Sequence, residues 1–133
     1  MTGKLCIHVV DDDQAALEST ALLLRTLGFG AVEWNSGTAF IAGCDPAEID
    51  CLLLDSRMPG MSGERVLAEM AARGMAVPVI CMSGHAVPPA SEMGSVAFLE
   101  KPFRVAELRA AIDTARAAFR ANATGPGAGD GNP

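Results

Sequence analysis

The sequence of 133 residues contains no tyrosine, one tryptophan and only two lysines, Lys4 and Lys101. Sixteen acidic residues outnumber ten basic ones, which gives a formal net charge of −6 at pH 7. Nonspecific nucleic-acid binding draws most of its affinity from clustered basic side chains. The charge balance therefore argues against direct DNA binding by this chain.

Long apolar runs are also absent, because no stretch approaches the roughly 20 residues that span a bilayer. The short apolar run near the N-terminus is stopped at Asp11 by acidic residues, which is atypical of a signal peptide. None of the cysteines forms a Cys-x-x-Cys pair, so free core thiols are favoured over disulfides or a zinc site. We therefore expect a cytoplasmic protein without a membrane segment. The cysteines are Cys6, Cys44, Cys51 and Cys81.

Short apolar runs alternate along the chain with amphipathic segments. The apolar runs predict strands over 5–10, 31–35, 51–54, 77–82 and 96–99. The amphipathic segments predict helices over 14–27, 36–42, 64–73 and 105–121, with Asp13 and Ser36 as helix caps. His8 lies inside the first strand, where a structural role is expected. Regular alternation of this kind predicts an α/β fold, a doubly wound parallel sheet with helices on both faces.

The length fits one domain, which we expect over residues 1–121. Residues 122–133 are rich in Gly, Ala, Pro and Asn and have no apolar period. We expect this segment to be a disordered tail. It is compatible with a stand-alone protein and with a piece cut from a longer one.

Polar side chains follow four of the predicted strands, at the edge of the sheet where α/β proteins bind ligands. Carboxylates brought together there repel one another, and a hard divalent cation such as Mg²⁺ relieves the repulsion. The added lysine and hydroxyl complete a site for a phosphoryl group, with one aspartate as nucleophile. The residues are Asp11, Asp12 and Asp13 after strand one, Asp55 after strand three, Ser83 after strand four and Lys101 after strand five.

Four segments carry a resemblance to a known family. They read VVDDD at 9–13, LLDSRMPGMSG at 53–63, MSGH at 82–85 and FLEKPF at 98–103. The chain resembles the receiver domain of bacterial two-component response regulators, FixJ-type receivers above all, over about residues 4 to 120. The resemblance implies a flavodoxin- or CheY-like fold with five parallel strands in the order 2-1-3-4-5.

The resemblance also implies a role for each acidic residue. Asp55 is the phosphoacceptor, which takes its phosphoryl group from a phosphohistidine of a sensor kinase or a histidine phosphotransfer protein. Asp12, Asp55 and the backbone carbonyl of Arg57 ligate Mg²⁺ or Mn²⁺, and Asp11 contributes through water.

Further roles follow from the same resemblance. Lys101 contacts the phosphoryl group, and the peptide bond between Lys101 and Pro102 is expected to be cis. Ser83 is the switch hydroxyl. Phe98 stands at the position of the switch aromatic, although an ordinary core role is equally compatible. The side chains of Arg57 and His85 tune the lifetime of the phosphoryl group, unless His85 simply faces solvent.

One segment departs from the family pattern. Between Ser83 and Lys101 the chain is roughly one helical turn short, and Pro88 and Pro89 restrict a helix to its first turn. We expect the fourth helix of the family's fold, which lies between the fourth and fifth strands, to be shortened or irregular. Because this region often forms the family's output and dimer surface, we expect a monomer or a weak dimer.

Taken together, these patterns predict a receiver that changes a protein-binding surface when Asp55 is phosphorylated. It would catalyse only its own phosphorylation and dephosphorylation, and its downstream protein partner is unknown. Two alternatives remain open at this point. One is a phosphatase of the haloacid-dehalogenase type with an aspartate nucleophile. The other is a degenerate receiver that binds partners without phosphorylation.

Overall fold

The computed structural model describes residues 4–84 and 97–123. Three expectations fall outside these ranges. They are the tuning role of His85, the shortened helix expected between Ser83 and Lys101 with Pro88 and Pro89, and residues 124–133 of the disordered tail predicted over 122–133, whose first two residues are helical instead. All three stay predictions.

Five parallel strands form one sheet in the order β2-β1-β3-β4-β5. The predicted fold class and strand order are confirmed. β4 begins two residues later than expected, because Pro78 has no backbone N–H to extend the ladder; its carbonyl still accepts from Leu52 N at 2.9 Å. The bounds are β1 Cys6–Val10, β2 Gly30–Trp34, β3 Cys51–Asp55, β4 Val79–Ser83 and β5 Ala97–Glu100.

Within residues 4–84 and 97–123, four α-helices and one short 3-10 turn, Pro46–Glu48, connect or follow the strands. The predicted helix caps are confirmed: Asp13 accepts from Ala16 N, and Ser36 accepts from Ala39 N. No helix in the described part of the chain is both long and apolar enough to cross a membrane. The helices are α1 Gln14–Thr26, α2 Gly37–Gly43, α3 Gly63–Ala72 and α4 Val105–Ala123.

Side chains that alternate along the strands build two separate cores. The face covered by α1 and α4 is centred on Ile7, Val9, Leu24, Leu53 and Leu108, all 0 % exposed. The face covered by α2 and α3 is centred on Val10, Phe40, Leu52, Leu54 and Val66, also 0 % exposed. Full burial of one such side chain stabilises the fold by roughly 1.5–3 kcal/mol. The central strands are therefore held rigidly from both sides.

The four cysteines are all free thiols, as expected. Burial raises the pKa of Cys51 and of Cys81 to about 12. A thiol with so high a pKa carries almost no thiolate at neutral pH and is a poor nucleophile. These two cysteines act as small core side chains.

Candidate acidic site at the carboxyl edge of the sheet

The polar residues predicted from the strand ends meet at one edge of the sheet. Asp55 and Ser83 are the last residues of β3 and β4, Asp11 follows β1, and Lys101 follows β5. Asp11 is 0 % exposed, Ser83 4 % and Asp55 7 %. Parallel pairing of neighbouring strands sets this convergence, and the apolar cores on both faces hold the strand ends in place.

Asp11 is held by hydrogen bonds to its side chain and to its backbone. Its Oδ1 accepts from Asp13 N at 3.0 Å, and its Oδ2 accepts from Lys101 Nζ at 2.9 Å. Its own amide donates to the carbonyl of Trp34 at the end of β2, at 3.1 Å. The Asp11 carboxylate is therefore fixed in direction by partners on both oxygens.

Lys101 lies between two carboxylates. Its Nζ is 2.9 Å from Asp11 Oδ2 and 3.7 Å from Asp55 Oδ1, and its side chain is 26 % exposed. Burial alone would lower the pKa of Lys101, but the hydrogen bond to Asp11 and the nearby negative charges outweigh it and raise the pKa. Lys101 N donates to the carbonyl of Ser83 at 2.7 Å, and the Lys101–Pro102 peptide bond is cis, as expected.

Opposing influences act on the pKa of the Asp55 carboxylate. Burial raises its pKa to about 6, and the charge of Asp11 adds to the rise while Lys101 opposes it. The amide of Arg57 donates to Asp55 Oδ1 at 3.4 Å. A carboxylate with a raised pKa is more basic than an ordinary aspartate and is still largely ionised above neutral pH.

One position beside Asp55 demands glycine. A Cβ on Gly63 would lie 2.9 Å from the carbonyl oxygen of Asp55 and 2.9 Å from Ser56 Cα. The first turn of α3 therefore packs directly against the backbone of the Asp55 strand end. The loop from Ser56 to Ser62 is closed tightly as a result, with the Arg57 side chain exposed on it.

Three carboxylates of the site can share one cation. Asp11, Asp12 and Asp55 each offer an oxygen within 4.8 Å of the others, and Asp12 is exposed while its partners are buried. Only one lysine faces this group, so the cluster keeps a negative charge. Hard divalent cations prefer this kind of oxygen donor set, and the residues fit such an ion.

Two of the predicted site residues contribute less directly. Phe98 of β5 is partly buried and packs against the core beneath α2 and α3, so its position is compatible with both proposed roles. The side chain of Arg57 is exposed on the loop that follows Asp55. Its backbone carbonyl as a metal ligand stays a prediction.

A groove beside the site was missed by reasoning from the sequence. It has a volume of about 520 Å³ and runs between α1, which contributes Ala16, Thr20 and Leu23, and the loop after β5. Lys101 and Phe103 line its other side. Phe103 lies in the quoted FLEKPF segment, but its neighbourhood to α1 depends on the tertiary fold.

Comparison with known proteins places these features in a family. A family model described as response regulator receiver domain matches residues 7–113. The transcriptional regulatory protein FixJ of Azorhizobium caulinodans is 41 % identical over 116 residues, which cover 84 % of this chain and 55 % of that protein. The response regulator protein TmoT of Ectopseudomonas mendocina is 41 % identical over 113 residues, covering 82 % and 51 %. The chain thus spans about half the length of these curated relatives.

Solved structures agree with the family match. The crystal structure of FixJ-N superposes with a TM-score of 0.76 at 31 % identity, and the match covers 87 % of this chain and 96 % of that one. The chemotaxis protein CheY4 of Vibrio cholerae gives a TM-score of 0.75 at 19 % identity, covering 85 % and 99 %. At that identity the second likeness concerns the fold alone.

Proposed function

This chain belongs to the response regulator receiver domain family, and on that premise we propose that Asp55 is the residue that accepts the phosphoryl group. The observation that carries the proposal is the position of Asp55. It is a buried carboxylate at the end of β3, 3.7 Å from the ammonium of Lys101 and within reach of two further carboxylates. This is the arrangement that nucleophilic attack on a phosphoryl group requires.

In the proposed reaction, a carboxylate oxygen of Asp55 forms a bond to phosphorus while the N–P bond of a phosphohistidine breaks. The electron pair of that bond returns to the donor imidazole, and the product on Asp55 is an acyl phosphate. Nothing is oxidised or reduced. Because the pKa of Asp55 is about 6, the carboxylate is mostly ionised at pH 7.5 and can attack without a separate base.

Lys101 is proposed to move from one partner to another during this step. It hydrogen-bonds Asp11 at 2.9 Å and already lies 3.7 Å from Asp55. A phosphoryl group on Asp55 brings oxygens that carry more negative charge than a carboxylate, so the ammonium is drawn toward them. Ser83, at the end of the neighbouring strand, supplies the switch hydroxyl.

The acidic cluster is proposed to hold Mg²⁺ or Mn²⁺. Asp12, Asp55 and the backbone carbonyl of Arg57 would ligate it directly, and Asp11 through water. When bound, such an ion neutralises charge on the phosphoryl oxygens during transfer. The support for the ion is the donor set: three convergent carboxylates are opposed by one lysine.

The phosphodonor is proposed to be a sensor histidine kinase or a histidine phosphotransfer protein that approaches along α1. The groove beside Lys101 is mostly apolar, and Leu22 on the same helix is 64 % exposed. An apolar face next to the reacting carboxylate suits a partner helix that carries the phosphohistidine.

The remaining features of the proposal follow from family membership. We propose a cytoplasmic receiver that turns over no external substrate, does not bind DNA through this chain, and is a monomer or a weak dimer. Its output is a change of surface read by a downstream protein. The family match favours this function over a phosphatase of the haloacid-dehalogenase type.

The test is phosphorylation by a small-molecule donor. Wild type, Asp55→Asn and Asp113→Asn would be incubated with acetyl phosphate and Mg²⁺, and their intact masses measured. Asp113 is an exposed aspartate of α4 and serves as the matched control. We expect one phosphoryl adduct on wild type and on Asp113→Asn, and none on Asp55→Asn.

Two results would contradict the proposal. One is an adduct that persists in Asp55→Asn. The other is the absence of any adduct on wild type together with no binding of beryllofluoride, which imitates a phosphoryl group. Turnover of a phosphomonoester that survives Asp55→Ala would instead favour an enzyme.

A further inference from the structure

A second polar group is buried on β1, away from the acidic site. His8 is 3 % exposed and lies on the face of the sheet that α2 and α3 cover. Its ring is nearly parallel to that of Trp34 of β2, with centroids 6.1 Å apart and 20° between the planes, and it meets Phe40 of α2 edge-on at 6.4 Å. Phe40 also meets the Trp34 ring edge-on at 5.8 Å, so α2 packs on the rings of His8 and Trp34.

The hydrogen bond within this group fixes the protonation state of the histidine. Trp34 Nε1 donates to His8 Nδ1 at 2.9 Å. An indole N–H can only donate, so Nδ1 must carry a lone pair and the proton of the neutral ring sits on Nε2. His8 Nε2 is buried and has no hydrogen-bond partner among the described residues.

A second proton on His8 has no favourable place to go. It would sit on Nδ1 and face the Trp34 N–H, which puts two donors 2.9 Å apart. Burial lowers the pKa of His8, while the nearby backbone carbonyl of Glu48 and the charges of Glu48 and Asp50 act in the opposite direction. The ring is therefore neutral at pH 7 and is destabilised when it is protonated.

The elements packed around His8 offer few other charges. α2 has the sequence GTAFIAG and carries none. On β2, Glu33 alternates with Trp34 and so points to the opposite face. On β3, the residue opposite His8 is Leu52. Arg73, which follows α3, donates to the carbonyl of Ile41 in α2 at 3.3 Å.

α2 connects this ring cluster to the loop that follows Asp55. At its last turn, a Cβ on Gly43 would lie 3.0 Å from the Trp34 ring. At its first turn, a Cβ on Gly37 would lie 2.6 Å from Val66 and 3.3 Å from Met61. Met61 belongs to the loop between Asp55 and α3. There is no room for a side chain at Gly37, so this end of α2 packs closely against Val66 and Met61, and a shift of α2 would press on both.

We propose that the His8–Trp34 pair is a proton-sensitive support for α2, in which protonation of His8 breaks the hydrogen bond and shifts α2 together with Met61. The pair then acts as an acid-responsive device built into the α2 face of the sheet. It depends on the geometry of His8, Trp34 and α2 and does not require Asp55 to be the phosphoacceptor.

The test uses the fact that Trp34 is the only tryptophan in the sequence. Its indole N–H gives a single side-chain resonance in a proton–nitrogen correlation spectrum, which would be followed from pH 7.5 down to the onset of unfolding seen by circular dichroism. We expect a single-proton transition with a midpoint below the ordinary histidine pKa of about 6.5. The amide of Gly37 and the methyl of Met61 should shift with the same midpoint.

Two variants isolate the responsible group. His8→Gln should abolish the transition of all three resonances, whereas His85→Gln, which removes the other histidine of the sequence, should leave it unchanged. Repeating the titration in Asp55→Asn removes the carboxylate that also titrates near pH 6, and the transition should persist.

Some outcomes would overturn the proposal. An indole resonance that keeps its pH 7.5 position to the acid limit of the folded state would do so. A transition that survives His8→Gln, or one in which Gly37 and Met61 do not take part, would do so as well. On wild type alone, an imidazole spectrum showing the proton on Nδ1 at pH 7.5 would contradict the hydrogen bond itself. That measurement keeps the test decisive even if His8→Gln does not fold.

Discussion

The acidic edge and the His8–Trp34 pair are two buried polar clusters whose first residues are three positions apart, with His8 on β1 and Asp11 directly after it. Asp11 is 0 % exposed and His8 is 3 % exposed, so solvent is excluded from both to a similar degree. At the acidic edge, Asp11 forms an ion pair with Lys101, whereas burial raises the pKa of Asp55 to about 6. In the His8–Trp34 pair, burial is met by neutrality and one hydrogen bond.

The comparison shows that two equally buried polar clusters respond to different ligands. A cluster that keeps its charges has an unresolved electrostatic cost, which a cation or a phosphoryl group relieves when it binds. A cluster that has become neutral has no such cost, and a proton disturbs it instead. One region of the molecule is therefore suited to a charged ligand, and the other to a change in acidity.

Removing the single positive charge from the acidic edge should give the largest effect. Lys101→Ala deletes the ammonium that faces both Asp11 and Asp55. We expect the rate of phosphoryl adduct formation from acetyl phosphate to fall roughly 10²–10³-fold, the size of effect typical for loss of one preorganised donor. The rate would be followed by intact mass.

Lys4→Ala is the matched control, because Lys4 is the only other lysine and is exposed. It should phosphorylate at the wild-type rate. A Lys101→Ala variant that also phosphorylates at the wild-type rate would mean that the charge of the acidic edge is not functional, and the contrast between the two clusters would lose its meaning.

The two clusters also differ in how far the sequence predicts them. The acidic edge was predictable because Asp11, Asp55 and Lys101 directly end or follow short apolar runs, and parallel strands bring such positions together whatever the details of packing. Most helix bounds follow from the same periodicity, whereas the strand order followed from the resemblance to receiver domains. The predicted start of β4 at residue 77 was wrong, and the strand begins at Val79. The prediction followed the apolar side chain of Val77 and did not allow for the missing backbone N–H of Pro78.

The His8–Trp34 pair was not predictable in the same way. The two residues are 26 positions apart, and the contact depends on the register between β1 and β2, in which Val10 pairs with Trp34. It also depends on ring rotamers that periodicity does not determine. A lone histidine in a strand gives no signal of its partner, so His8 was assigned only a structural role.

Breaking the neutral pair should give the second-largest effect. His8→Leu leaves the Trp34 N–H buried without an acceptor, which costs about 1–3 kcal/mol of unfolding free energy. Trp34→Phe removes the donor and part of the packing at the same time. The double variant leaves neither the donor nor the acceptor behind. Its loss of unfolding free energy should therefore be smaller than the sum of the losses in the two single variants. Urea unfolding at pH 7.5 measures all three.

Strict additivity of the His8→Leu and Trp34→Phe losses would show that the hydrogen bond between the rings contributes nothing. A double-mutant cycle is suited to this question because it isolates the interaction from the packing change.

The conflict at Asp55 should appear as a pH-dependent gain in stability when it is removed. The folded pKa of about 6 lies above the unfolded value of about 3.9. The stability that Asp55 contributes is therefore full below about pH 4 and is lost as the pH rises through 6. Asp55→Asn has no such loss, so without metal it should be more stable than wild type by about 1–2 kcal/mol at pH 7.5, and by much less at pH 4.5.

Thermal melts of wild type, Asp55→Asn and Asp113→Asn at the two pH values check this sign. The exposed Asp113 should show no comparable gain. A variant Asp55→Asn that is less stable than wild type at pH 7.5 would mean that the attraction of Lys101 outweighs burial, contrary to the raised pKa.

The smallest effect is expected where charges pair without burial. Arg25 and Glu33 approach to 3.5 Å, and their side chains are 52 % and 29 % exposed. The ion pair of Lys101 and Asp11 is closer, at 2.9 Å, and its side chains are only 26 % and 0 % exposed. Glu33→Gln leaves the bond from Arg25 to the Ala31 carbonyl in place and removes only the charge. Because exposed ion pairs are worth about 0–1 kcal/mol, we expect the urea midpoint to move little and the small difference to vanish at high salt. At 1 M salt the screening length is about 3 Å, which removes the contribution of an exposed ion pair. If Glu33→Gln lowered the free energy of unfolding as much as His8→Leu does, and still did so at 1 M salt, burial would not explain the difference between the two sites.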